Sequence, residues 1–140
     1  YTKNCFVETK LTQGMTDLLD YLEKNGFRWG IVTNKHSKYV NKIVNGLNIN
    51  KRLSCLVTGN MVSEPKPAPD SLIHAMCLLK EEPNSIIYVG DDERDIIAGK
   101  AAGMRTVAAD FGFILDSAEI NTWNADNIIM QPKELIEIIN

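Results

Sequence analysis

Apolar residues recur along the chain with a spacing that switches between helical and strand-like periods. Met15, Leu18, Leu19 and Leu22 fall at i, i+3, i+4 and i+7 and Asn25-Gly26 supplies a stop, so the spacing predicts a helix over 15–25. Phe27 to Thr33 (FRWGIVT) reads as a buried strand. A second helix is predicted from about Ser37, with Val40, Ile43, Val44 and Leu47 on its inner face, followed by a strand over Leu53 to Thr58 (LSCLVT). The stretch Glu64-Pro-Lys-Pro-Ala-Pro69 is excluded from helix, because each proline pushes the residue before it toward extended geometry, and it reads as a stiff loop. Beyond it, Asp70 or Ser71 can cap a helix carrying Leu72, Ile73, Met76 and Leu79. Pro83-Asn84 then introduces the strand Ser85 to Val89, and a short helix from about Glu93 to Ala102 ends at Gly103. Thr106 to Ala109 and Ile128 to Met130 read as two further strands, and Pro132 is placed to open a C-terminal helix.

Such alternation predicts an α/β fold with a doubly wound parallel sheet covered by helices on both faces. Sheets of this kind bind ligands beyond the carboxyl ends of their strands. Composition narrows the candidates. The 140 residues suit one domain, and Lys plus Arg (15) against Asp plus Glu (18) leaves a formal net charge of −3. The lysines are scattered, so the clustered basic face that a nucleic acid requires is lacking. No apolar run approaches the ~18 residues of a membrane span, and the opening Tyr1-Thr-Lys-Asn-Cys5 lacks a signal-peptide pattern, so a soluble cytoplasmic protein is expected. Cys5, Cys55 and Cys77 are odd in number and far apart, which indicates neither a disulfide framework nor a zinc site; Cys55 and Cys77 are expected in the core.

Three strand ends carry chemistry. Thr33 and Asn34 follow the first strand, where a hydroxyl and an amide can donate to an anionic oxygen or else cap the next helix. Lys66, between Pro65 and Pro67, is a positioned cation suited to a phosphoryl group, although solvated lysines are commoner. Gly90-Asp-Asp-Glu-Arg-Asp95 places four acids directly after a buried strand. Acids at a helix N-terminus account for Glu93 and Asp95 but not for Asp91 at the strand end, which favours a metal or phosphate role. Hard oxygen ligands of this sort suit Mg²⁺.

Together these segments resemble the haloacid dehalogenase superfamily of Mg²⁺-dependent phosphatases. Ile31-Val-Thr-Asn-Lys35 resembles its second motif, Lys66-Pro-Ala-Pro69 its third and Gly90-Asp-Asp-Glu-Arg-Asp95 its fourth. The resemblance is nearest to phosphoglycolate phosphatases. Within that group, Arg28–Lys35, the doubled Asp91-Asp92, Phe111–Ile114 and Trp123–Asp126 look most like the N-acetylmuramic acid 6-phosphate phosphatase branch, although Trp29 and Trp123 also suit core positions. The resemblance implies a small phosphorylated metabolite as substrate and an aspartyl-phosphate intermediate. It implies that Thr33 holds a phosphoryl oxygen with Asn34 beside it, and that Lys66 neutralises the nucleophile and the transferring group. Asp91 would bind Mg²⁺, and Asp95 would orient Lys66 or a metal-bound water. Asp92 is left without a role, and His36 and His74 read as surface or packing residues.

The family's first motif, Asp-x-Asp near the N-terminus, has no counterpart, since no two aspartates here are separated by a single residue. By the same resemblance, residues 1–14 correspond to the end of the helical cap and its linker, and 15–140 to the core domain. The missing strand would lie between the strand ending at Thr33 and the one ending at Asp91, so both would carry unpaired backbone groups costing on the order of 1–3 kcal/mol each. The chain is therefore expected to be a fragment completed by an N-terminal segment or companion chain. An inactive phosphate- and Mg²⁺-binding remnant is the alternative. A receiver domain fits less well, because its acids precede its Thr and Lys along the chain.

Overall fold

The structure is a computed structural model that describes residues 14–111 and 117–139. It contains helix α1 (Met15–Lys24), strand β1 (Gly30–Val32), α2 (Ser37–Gly46), β2 (Cys55–Val57) and α3 (Asp70–Leu79). These are followed by β3 (Ile87–Gly90), α4 (Glu93–Ala101), β4 (Arg105–Ala109), β5 (Asn127–Ile129) and α5 (Glu134–Ile139). All strand pairs are parallel: β1 pairs with β2, and β4 lies between β3 and β5. Residues 1–13, where the cap remnant was expected, lie outside the described residues.

Among the described residues the strands form two sheets, of two and three strands, with no ladder from β1 to β3. Between these edges lies a cavity of about 510 Å³, whose walls include Leu18, Leu22, Val32, Leu72, Val89 and Ile129. Ile31 and Val89 nevertheless belong to one buried apolar cluster with Leu18, Leu19, Val40 and Val107, so a shared core binds the two sheets into one body. Its driving force is burial, worth roughly 1.5–3 kcal/mol for each large side chain removed from water.

Several elements differ from the sequence reading in instructive ways. The first strand is only three residues long because the Phe27 N–H turns back to the Leu22 carbonyl (2.8 Å), closing α1 instead of extending β1. In α3 the N-cap is Pro69 with no side-chain cap bond, and Asp70 and Ser71 sit inside the first turn. Leu72 and Ala75 are buried on its inner face while Ile73, about 100° further round the helix, is 43% exposed. Cys77 lies off the same stripe and is exposed, not buried as expected, and Cys55 is half-buried. A 3₁₀ segment over Ser117–Trp123 was not anticipated; its Ile120 packs with Ile96 and Ala108, and Trp123 covers that cluster. Trp29 is in the main core. No described helix is long and apolar enough to cross a membrane.

Candidate functional site

Parallel strands all point their carboxyl ends the same way, so the residues just beyond β1, β2 and β3 gather at one rim of the molecule. Beyond β1, Thr33 is 3% exposed and its N–H donates to the Val57 carbonyl (2.9 Å), extending the β1–β2 contact by one bond. Its Oγ1 accepts from the Lys35 N–H (3.2 Å). Neither Thr33 nor Asn34 caps α2. That role belongs to His36, whose Nδ1 accepts from the Lys38 N–H (3.0 Å).

Asn34 reaches across to the loop after β2. Its Oδ1 accepts from the Lys66 N–H (2.9 Å) and its Nδ2 donates to the Lys66 carbonyl (3.2 Å), so one carboxamide satisfies both backbone groups of the lysine. The β2 exit is stitched to the same turn through the Gly59 N–H, which donates to the Lys35 carbonyl (2.8 Å). A methyl group on Gly59 would overlap the Asn34 carbonyl, so the approach requires glycine.

Lys66 is 3% exposed, and its ammonium has three acceptors: Asp95 Oδ1 at 2.6 Å, the Tyr88 hydroxyl at 2.8 Å and the Val32 carbonyl at 3.2 Å. The Tyr88 hydroxyl donates in turn to the Val32 carbonyl (3.2 Å), a bond that crosses from β3 to β1 at the rim of the cavity. Burial, then the charges of Asp95 and Asp91, hold the Tyr88 hydroxyl well above its ordinary range, so it stays protonated as a donor. Both partners of the Lys66–Asp95 pair have side chains only 2% exposed. A desolvated pair of this kind persists only when its remaining donors and acceptors are also met.

Asp95 meets that condition. Its second oxygen accepts from the N–H groups of Asp91 and Asp92, both at 3.2 Å, which closes the turn from β3 into α4. Gly90 allows this, since a side chain there would overlap that of Asp95. Asp92, left without a role by the sequence, is the N-cap of α4: its Oδ1 accepts from the Arg94 N–H (2.9 Å) and its carboxylate pairs with the Arg94 side chain. Asp91 stands half-buried at the end of β3. The described residues contain no group of three or more His, Cys, Asp or Glu able to hold a metal ion. Asp91 offers one hard oxygen ligand, which matches the sparse protein ligation of Mg²⁺.

The structure thus brings Thr33, Asn34, Lys66, Asp91 and Asp95 to one rim. Sequence reasoning missed Tyr88 and the Val32 carbonyl. A signal for Tyr88 was present: it is the only hydroxyl-bearing residue within the apolar run Ile86–Val89, one turn of chain before the acids, and a buried tyrosine tip requires a partner. Nothing in a side-chain pattern marks a carbonyl.

A cation, a hydroxyl and carboxylates at the strand ends of a parallel α/β core match a known architecture. The family model described as haloacid dehalogenase-like hydrolase matches residues 1–109, and the chain belongs to that family. It is 39% identical over 140 residues to the N-acetylmuramic acid 6-phosphate phosphatase of Pseudomonas putida, covering 100% of this chain and 63% of that one. It is 38% identical over 130 residues to the phosphoglycolate phosphatase of Xanthomonas campestris pv. campestris, covering 93% and 59%. Among solved structures, a predicted phosphoglycolate phosphatase from Haemophilus somnus superposes with a TM-score of 0.86 at 26% identity, over 94% of this chain and 58% of that one. The chain therefore spans less than two-thirds of the length of these relatives.

Proposed function

We propose that the chain forms the larger part of the core of a Mg²⁺-dependent phosphatase acting on a small organic or sugar phosphate monoester, of the phosphoglycolate or N-acetylmuramic acid 6-phosphate type. The observation that carries this reading is the buried Lys66 ammonium, fixed between Asp95 and Tyr88 and tied through Asn34 to Thr33. In this reading a carboxylate on a segment seated between β1 and β3 attacks phosphorus, the P–O ester bond breaks and its oxygen leaves as the alcohol after taking a proton. Water then cleaves the aspartyl-phosphate to release phosphate and restore the carboxylate. The apolar cavity and the unjoined sheet edges support that placement. Thr33 binds a phosphoryl oxygen, Lys66 offsets the charge gathering on the transferred group, and Asp95 holds the ammonium in place. Mg²⁺ held in part by Asp91 would polarise the phosphoryl oxygens.

The test compares hydrolysis of a generic phosphomonoester by this chain alone and by a longer chain extended with the sequence encoded upstream of Tyr1. Turnover is expected only in the extended chain, dependent on Mg²⁺ and abolished by Lys66→Met. Undiminished turnover by the 140-residue chain would overturn the complementing segment, and Mg²⁺-independent turnover would overturn the metal. The alternative reading is a phosphate- and Mg²⁺-binding remnant without turnover. Phosphate binding by the extended chain with no hydrolysis would select it.

A further inference from the structure

We propose that Asn34 is a positioning residue that sets the place of the Lys66 ammonium and makes no contact with substrate. The inference rests on the phosphatase reading for its kinetic consequence but not for its geometry. A carboxamide that accepts from a backbone N–H and donates to the carbonyl of the same residue forms a closed two-bond ring with that peptide segment. Asn34 does this with Lys66, 32 residues away in sequence, at 2.9 and 3.2 Å. The match is specific to the amide. Aspartate keeps the acceptor but sets a charged oxygen against the Lys66 carbonyl, and glutamine adds a methylene that overshoots both groups.

The clamp also explains how a lysine on a loop is held as firmly as one on a strand. Its ammonium is fixed by Asp95, Tyr88 and Val32 and its backbone by Asn34, so both ends of the side chain are anchored. Because the Gly59 N–H also ties the β2 exit to Lys35, the turn carrying Thr33 and the chain segment leading to Lys66 are joined at two places. The distance between the hydroxyl and the cation is then set by Asn34, and both must reach the same phosphoryl group.

The activity-independent test is a reductive-methylation footprint of the extended chain, and of the 140-residue chain beside it, read by mass spectrometry at each lysine. Lys66 should be protected in the native chain and labelled at least about tenfold faster in Asn34→Ala and Asn34→Asp, as expected for a local opening eased by one broken clamp. Should Asn34→Ala show no cooperative melt, the isosteric Asn34→Asp carries the comparison. In the extended chain, kcat should fall by up to ~100-fold with KM changed less than about threefold, since misplacement of a catalytic group acts on the transition state. Unchanged protection of Lys66 in both variants overturns the clamp. A raised KM with kcat retained makes Asn34 a substrate ligand and overturns the proposal as well. If no extended chain turns over, the phosphatase reading fails while the footprint still decides the clamp.

Discussion

Two clusters of opposite charge in this molecule differ in what surrounds them. Arg52 bridges Asp20 and Glu23 on α1 at the surface, where the side chains are 27%, 62% and 39% exposed. Lys66 meets Asp95 with both side chains at 2%. In the first cluster water competes for every charge, and the pairing adds little beyond steering Glu23, which also accepts from the Trp29 indole (3.1 Å). In the second, water has been replaced by a fixed set of acceptors, and each member depends on all the others. Exposure, more than distance, separates an ornamental ion pair from one that a site is built around.

The largest expected effect comes from breaking only one side of the buried pair. Lys66→Met or Asp95→Leu alone leaves an uncompensated charge and should cost roughly 3–5 kcal/mol in chemical denaturation, whereas the double variant should recover most of that loss. Equal losses in single and double variants would mean that packing, not charge, holds the rim. Next comes Tyr88→Phe, expected to cost about 0.5–1.5 kcal/mol at neutral pH by removing one acceptor of Lys66. The hydroxyl's folded pKa is raised, so its stabilising contribution is complete below the unfolded value near ~10 and is lost as pH rises beyond it. Native protein should therefore lose stability above about pH 10 more steeply than Tyr88→Phe does.

A smaller effect is expected at Asp126, which caps the start of β4 by accepting from the Thr106 N–H (2.7 Å) and hydroxyl (3.2 Å). The Thr106 backbone bond, ahead of any charge, holds the Asp126 carboxyl below its ordinary value. Its contribution is present above the unfolded pKa near ~3.9 and fades as pH falls through the folded value. Asp126→Asn should flatten the acid limb of a stability profile. Smallest is Arg52→Ala, expected to cost about 0.2–1 kcal/mol, with the difference shrinking at about 1 M salt. A loss there as large as that of Lys66→Met would erase the contrast between the two clusters.

The same contrast explains what could be read from the chain. Helix α1 follows its apolar period because Leu18, Leu19 and Leu22 face one core. The alternation of elements likewise yields the parallel pairing, and the acids after β3 mark the site. Fidelity falls where tertiary contacts decide. Ile73 and Cys77 look like core residues by type, but the face of α3 is set by what it packs against. Residues 117–123 carry no strong period, and their short 3₁₀ turns are held by Ile120 entering a small cluster that Trp123 covers. Asn34 was visible as a polar residue at a strand end, while its partner was invisible, because the bond goes to backbone and backbone carries no sequence mark.

The sequence distances within the site have a further consequence, for the order in which the chain acquires structure. Five of the bonds that fix Lys66 and Tyr88 connect residues 22, 29, 32, 34 and 56 positions apart. None of the five forms inside a single helix, and all but the Lys66–Tyr88 bond reach beyond one strand–helix–strand unit, so loop closure must be met before they contribute. The rim should therefore be consolidated after the folding transition state, with φ-values near zero at Lys66 and Asp95 and higher values among the α1 and β4 core residues. Substitutions at the rim would then act chiefly by hastening unfolding, and any anion that binds there would slow it.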